Sequence, residues 1–306
     1  MPHKKLSANV DINSEGRYPI RTVSHLTGVN SITLRAWERR YGLIKPVRTA
    51  KGHRLYVQND IDLIQQILIL LDKGISIGQV REHLGLPVKN KVEGQIDPWA
   101  AYQQRIINAI VRFDIDKLDH EYNDVLSLYP VEMFIKNLVI PLLKSLGERW
   151  LSAEGSIAEE HFFAVYLRNK LGARFHHHSN RAAGTKFIAA CMPREQHEIG
   201  LMLFCLSALD HDKQVVYLGA NTPLMELVEP VVRAQANAVL LSSSVDPPER
   251  VWSEDLPRLV QAIEVPVFIG GYTAIKFCDA IVNAGGIPLG AGIQQAIKRM
   301  DEELGK

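Results

Sequence analysis

The pattern from Lys186 onward constrains the fold most: five short, almost unbroken apolar runs alternate there with segments long enough for helices. The runs read FIAACM, QVVYLGA, AVLLSSS, VPVFIGG and the shorter GIPLG. A strand wetted on one face alternates apolar with polar residues, so near-continuous apolar runs indicate strands covered on both faces, as in a parallel sheet. Parallel neighbours need crossover connections, and the intervening segments can supply them as helices. Residues 185–306 are therefore predicted to form an open doubly wound sheet, whose ligands sit at the carboxyl ends of the strands.

A chain of 306 residues exceeds what one core usually organises, so two or three domains of roughly 100 residues are expected. Residues 17–86 read as a compact basic module, and PVKNKVEGQIDP, residues 87–98, as a linker with little helical periodicity. Across 99–178 apolar residues recur three and four apart, for example Phe134, Leu138, Leu142 and Leu146, with breaks that cut the stretch into about four helices. That spacing predicts a small bundle. The opening residues MPHKKLSANVDINSEG lack an apolar core, and no apolar run approaches the roughly 20 residues that span a bilayer. A cytoplasmic protein without a membrane partner is the expectation. Cys191, Cys205 and Cys278 are odd in number and lack CxxC spacing, which argues against a disulfide framework or a zinc finger. The run His176–His178 reads as a helix end on the surface rather than a metal site.

A net charge of +1 hides an uneven distribution. Between Arg17 and Arg54 lie Arg21, Arg35, Arg39, Arg40, Lys45, Arg48 and Lys51, with Glu38 as the one acid. Such a stretch is the footprint of a phosphate-binding surface. Ile20, Val23 and Leu26 line one helix, Thr27-Gly28-Val29 turns, and Asn30 or Ser31 caps a second helix running to about Tyr41. That is helix-turn-helix spacing, with Arg35 and Arg39 one turn apart and Arg40 beside them, while Leu34 and Trp37 point to the core. A hairpin wing around Lys51-Gly52 would carry Arg48, Lys51, His53, Arg54 and Tyr56 to the phosphates. Asp60 is placed as the cap of a helix from Ile61 to Leu71, followed by another from about Ser76 to Leu84.

Over about seventy residues in continuous register this block resembles the MerR family of regulators, through YPIRTVSHLTGVNSITLRAWERRYG, the basic wing with RLY, and LLDKGISIGQVREHL. The resemblance implies dimeric binding to pseudo-palindromic double-stranded operator DNA, and leaves room for RNA polymerase as a further partner.

The second constellation is PREQHEIGLML, between the first strand of the sheet and its crossover helix. His197 lies in a loop at a strand's carboxyl end, where imidazole is a ready ligand for cobalt. Glu195 is near enough to fix the ring's tautomer, and Gly200 would let a flat ligand approach the backbone. From here the block resembles vitamin B12-binding domains of flavodoxin-like fold, whose DxHxxG or ExHxxG motif matches Glu195-x-His197-x-x-Gly200. The resemblance implies His197 as the cobalt axial ligand, and a slot for the cofactor's displaced tail lined by Ser242, Ser244, Gly270 and Gly271. Ser244 departs from the leucine or threonine common at that place.

In the helical block, Trp150 followed after nine residues by Glu160-His161 resembles the light-responsive, adenosylcobalamin-dependent MerR-like regulators of the CarH and LitR type. There the bundle caps the cofactor's upper face, which gives Trp150, Glu160 and His161 a place against the adenosyl group. An indole and a Glu-His pair suit a nucleoside, offering stacking area and hydrogen bonds to hydroxyls. The alternative is that Trp150 anchors a core and Glu160-His161 lies on a solvated helix. Leu151 follows Trp150 where such relatives can carry a cobalt-ligating histidine, and leucine cannot coordinate a metal. Taken together, a winged helix, a helical lid and a cobalamin domain imply a dark repressor that is a dimer to tetramer and loses operator affinity in light. A light-independent cobalamin or redox sensor is the rival reading, kept open by Leu151. A subunit of a cobalamin-dependent enzyme is disfavoured because too few residues remain for a substrate domain.

Overall fold

The computed structural model describes residues 17–86, 97–178 and 184–305. Most of the expected linker at 87–98 lies outside the described residues. The chain divides into two compact units, one ending at Phe162 and the other beginning at Phe163.

The first unit opens with β1 (Tyr18–Pro19), α1 (Ile20–Thr27) and α2 (Ser31–Ala36). Asn30 starts α2: its Oδ1 accepts from the N–H groups of Ile32 and Thr33, both at 2.9 Å, satisfying donors that a helix start leaves unpaired. Beyond Ala36 the helix widens into a π-helical segment, Trp37–Tyr41, which stops at Gly42 in the left-handed conformation with φ 58°. Arg81 closes this end by donating from Nη1 to the carbonyls of Tyr41 and Gly42, both at 2.8 Å. β2 (Val47–Arg48) and β3 (Arg54–Tyr56) form the hairpin expected around Lys51-Gly52, and β3 also pairs with β1, giving an antiparallel order β1-β3-β2. α3 (Gln58–Asp72) starts earlier than Ile61. Asp60 therefore caps from inside the first turn, its Oδ2 accepting from the Val57 N–H at 2.9 Å. α4 (Val80–His83) is a shorter helix than the Ser76–Leu84 stretch predicted, because Ser76 to Gln79 fold as a turn.

Four helical rods follow, in the number the periodicity predicts. They are α5 (Pro98–Val111); α6 (Ile115–Leu128); α7 (Val131–Phe134), which runs through a π-helical segment, Ile135–Val139, into α8 (Ile140–Leu151); and α9 (Ile157–His178). Asp97 caps α5 ahead of Pro98, and Asp114 caps α6. The three- and four-spaced residues Ile106, Ile110, Leu118, Tyr122, Val125, Leu138, Leu142 and Leu146 are buried. α9 reaches His178 as expected of a helix end, but the side chains of His176–His178 lie outside the described residues.

Within this first unit α2 packs against α6. Trp37 is fully buried, and its Nε1 donates to the Leu128 carbonyl at 2.8 Å, while Thr33 Oγ1 donates to the Leu126 carbonyl at 3.4 Å. The last carbonyls of a helix lack intrahelical partners, so side chains of α2 and its π-helical extension finish the end of α6.

The second unit contains the part of α9 from Phe163 onward, β4 (Lys186–Cys191), α10 (Ile199–Asp210), β5 (Gln214–Gly219), α11 (Val228–Ala234), β6 (Ala238–Ser242), α12 (Leu256–Ala262), β7 (Val267–Gly270), α13 (Tyr272–Lys276), α14 (Cys278–Asn283), β8 (Ile287–Gly290) and α15 (Ile293–Leu304). All five strands pair in parallel, in the order β5-β4-β6-β7-β8, which is the flavodoxin-like arrangement. Alternate residues serve opposite faces: Ile188, Ala190, Val239, Leu241 and Ile269 pack with residues of α11, α12 and α14, whereas Phe187, Ala189, Leu240 and Phe268 pack with α10 and α15. Both faces are thus covered, which is why the runs are apolar without alternation. The chain steps from β4 to β5 on one side and then to β6 on the other, so a crevice opens between the carboxyl ends of β4 and β6. Among the described residues no helix is long and apolar enough to cross a membrane.

Candidate functional site

The basic surface of the first unit sorts into free and engaged cations. Arg35 and Arg39 are exposed on α2 and its π-helical extension, and neither has an acidic partner among the described residues. Lys51 and His53 are likewise exposed at the tip of the wing. Arg40, by contrast, pairs with Asp124 of α6 at 3.4 Å, and Asp124 also accepts from the Tyr102 hydroxyl at 2.7 Å. Glu38 is the hub of a clamp that joins α2 to both strands of the wing. It accepts from Arg48 at 2.7 Å and from Arg54 at 2.5 Å. Burial alone would raise the Glu38 carboxyl, but the hydrogen bonds from Arg54 and Arg48 outweigh it and hold the group below the usual glutamate range.

One predicted phosphate contact is corrected. Tyr56 is fully buried, and burial, with the nearby Glu38 charge, pushes its hydroxyl up to about 12. It sits on the central strand of the small sheet opposite Tyr18, where its ring serves the core rather than a ligand. Arg54, on the same strand, faces Glu38 and holds the wing in place.

In the second unit the loop after β4 is built around a buried carboxylate. Glu195 is fully buried, and its two oxygens gather donors from His197, Ser243, Ser244 and Val245. Oε1 accepts from the His197 N–H at 2.7 Å and from His197 Nδ1 at 2.8 Å. Oε2 accepts from the Ser244 N–H at 2.5 Å, the Ser244 hydroxyl at 2.7 Å, the Val245 N–H at 3.2 Å and the Ser243 hydroxyl at 3.4 Å. Burial pushes the Glu195 carboxyl up, yet the hydrogen bonds from Ser244 and His197 prevail and leave it lowered. An ionised carboxylate only accepts, so Nδ1 carries the ring hydrogen and Nε2 keeps the lone pair of the neutral imidazole. With its side chain 65% exposed, His197 presents that lone pair at the mouth of the crevice. Glu195 therefore does two things: it sets the tautomer of His197 and ties the loop after β4 to the loop after β6.

The neighbouring loops are fixed by backbone contacts. Arg194 and Asn221 both adopt left-handed φ values, 72° and 51°, and the Arg194 N–H donates to Asn221 Oδ1 at 2.7 Å. Gly271 has φ 85°, and a Cβ there would stand 2.6 Å from the Ser243 carbonyl, so a glycine is required. A Cβ at Gly270 would meet only ordinary contacts, and at Gly200 open space. Ser242 is half-buried at the end of β6 and Ser244 is exposed beyond it. The residues present fit a corrinoid: an oriented imidazole, open space over Gly200 and a tight glycine bend beside two serines.

Sequence reasoning passed over Glu198, whose carboxylate accepts from Arg168 at 2.6 Å and from the Tyr217 hydroxyl at 2.8 Å. Its position inside the ExHxxG stretch was the available signal. Trp150, at the end of α8 in the first unit, is 45% exposed and so is no core anchor. Glu160 is half-buried and His161 exposed near the start of α9. Leu151 is 77% exposed. Among the described residues no group of three or more His, Cys, Asp or Glu side chains is gathered for a metal ion.

Comparison with known proteins finds two family matches, both N-terminal to the parallel sheet. Residues 18–85 match the family described as MerR HTH family regulatory protein, and residues 102–174 match the B12 binding domain. The chain is 29% identical over 272 residues to the HTH-type transcriptional repressor CarH of Myxococcus xanthus, covering 85% of this chain and 91% of that one. Its identity to the repressor CarA of the same organism is 26%, over 87% of this chain and 90% of the other. The HTH-type transcriptional regulator MlrA of Salmonella typhimurium is 33% identical across 42% of this chain and 51% of its own length. In fold, the monomethylamine corrinoid protein of Methanosarcina barkeri superposes with a TM-score of 0.54 at 17% identity, over 67% of this chain and 99% of that chain.

Proposed function

We propose that this chain, which joins a MerR helix-turn-helix regulatory region to a B12-binding domain, is a repressor that holds adenosylcobalamin and gives up its oligomeric state and operator affinity in light. The observation that carries this reading is the Glu195–His197 pair at the switch point of the sheet, which leaves Nε2 as the ring nitrogen that would hold a metal ion. The direction of the response is taken from CarH and CarA, both repressors. The working division is 17–86 for DNA, 99–178 for the lid and 185–306 for cobalamin.

Adenosylcobalamin supplies a cobalt–carbon bond that light cleaves. His197 would hold the cobalt, and Gly200, Ser242, Ser244, Gly270 and Gly271 would accommodate the rest of the corrinoid. Trp150 offers an exposed indole for stacking, and Glu160 and His161 offer hydrogen bonds to ribose hydroxyls. These lid residues gain contacts from an adenosyl group only while it is attached, so its loss removes the differential binding that favours the assembled state. Paired subunits place two reading helices on one operator, where the second contact becomes intramolecular and affinity rises. Arg35, Arg39, Lys51 and His53 supply the groove and phosphate contacts. Leu151 cannot ligate a metal, so after illumination no second protein nitrogen comes from that position; this is what favours a light-independent cobalamin sensor as the second reading.

The test is size-exclusion and duplex binding of the full chain with adenosylcobalamin, in the dark and after green light. Expected are a larger species and tight binding in the dark, and a smaller species with weaker binding after light; identical behaviour in both would overturn the light response. In the same preparation His197→Ala is expected to lose cobalamin retention and alter its visible spectrum, and an unchanged spectrum would overturn the ligand assignment.

A further inference from the structure

Resting on the reading of α2 as the DNA-reading helix, we infer that Ile32 is a specificity-determining residue that reads a thymine methyl in the major groove. Three observations converge on it. First, Ile32 is 64% exposed although it is a large branched hydrocarbon in the first turn of α2. Second, Arg35 and Ala36 follow it at spacings of three and four residues on the same face of α2, and Arg39 comes next in the π-helical segment. Both arginines are exposed and have no acidic partner among the described residues. The opposite face is spent on structure: Thr33, Leu34 and Trp37 are buried, and Arg40 is paired with Asp124. Third, two backbone donors of the first turn are already taken, since Asn30 Oδ1 accepts from the N–H groups of Ile32 and Thr33. At Ile32 this helix start therefore presents a side chain rather than a free N–H group.

In helix-turn-helix proteins the N-terminal residues of the second helix meet base edges. An isoleucine carries no donor or acceptor, so the one base feature in the major groove it can recognise is the 5-methyl group of thymine. Arg35 and Arg39, one and two turns further along, are suited to guanine edges or phosphates. This face thus specifies a thymine offset from the arginine contacts within each half-site.

The experiment selects duplexes from a randomised pool with the purified full chain, with and without adenosylcobalamin in the dark, and repeats the selection with Ile32→Ala. Each thymine of the selected site is then replaced by uracil, which removes only the methyl. The wild type is expected to weaken about fourfold at one thymine per half-site, the effect of withdrawing one methyl from contact, and I32A to be indifferent to that replacement. Ile32→Val should retain the preference. Equal tolerance of uracil at every thymine by the wild type, or equal sensitivity in I32A, overturns the inference while leaving DNA binding intact. Enrichment of no duplex under either condition overturns DNA binding and this inference together. A change in the elution of I32A without DNA would show that the side chain is a subunit contact instead. Because the side chain is exposed, the alanine variant is expected to melt with the wild type.

Discussion

The exposed basic surface of the first unit and the loop after β4 solve opposite electrostatic problems. On α2, Arg35 and Arg39 stand exposed without acidic partners, and the one local acid, Glu38, is turned away to hold the wing. At the carboxyl end of β4, a single carboxylate is buried and saturated by donors from two loops. A surface that awaits a polyanion gains from unspent positive charge, because each phosphate contact releases condensed counterions. A site that must hold one ring in one tautomer gains from charge that is fully spent, because a buried carboxylate with unmet hydrogen bonds is costly. The two halves can therefore be damaged independently, and by mutations with different signatures.

The largest effect is expected at Glu195. Replacement by alanine leaves the Ser244 and Val245 donors and the His197 ring without their shared acceptor, and should cost about 3 kcal/mol in urea melts and roughly 10–100-fold in cobalamin affinity. DNA binding of the variant without cofactor should stay near wild type; a parallel loss there would break the separation between the two regions.

Next in size is the contrast between Arg35 and Arg40. Arg35→Ala should weaken duplex binding by roughly 10–100-fold. Arg40→Ala should weaken it less than about fivefold, since that guanidinium already has Asp124 as a partner at the surface. Titrations across salt concentration check this, and equal losses would show that pairing with Asp124 does not distinguish the two.

The smallest effect concerns Glu38, whose carboxyl is held below its ordinary range. A lowered folded-state value means that stability is fully present above the unfolded value and is lost as pH falls through the folded one. The wild type should therefore lose about 1 kcal/mol more than Glu38→Gln on acidification through that window, and the two should run parallel at neutral pH and above. Denaturant melts at a series of pH values would reveal it, and parallel curves throughout would remove Glu38 from the ledger of wing stability.

Legibility from the chain followed the range of each interaction. The five strands were readable because burial on both faces writes itself into consecutive residues, as in Phe187 to Cys191. The Glu195–His197 pairing was readable because it spans two residues. The tie from Glu195 to Ser244, 49 residues on, was not, although both residues had been singled out. Tyr56 misled for a related reason. A strand of three residues is too short to show which of its faces is buried, and its place between β1 and β2 depends on Tyr18, 38 residues earlier in the chain. Glu38 was visible only as an exception to the charge pattern, and Asp124 gave no local sign that it meets Arg40.

The seam between α2 and α6 carries a consequence for observation. Trp37 spends its indole N–H on the Leu128 carbonyl while fully buried. Should the reading helix leave the bundle, that indole and the ends of α6 must exchange each other for water. The emission of Trp37, one of four tryptophans in the chain, would then shift toward the red. The protein thus contains its own optical gauge of whether the part that reads DNA and the helices behind it are seated together.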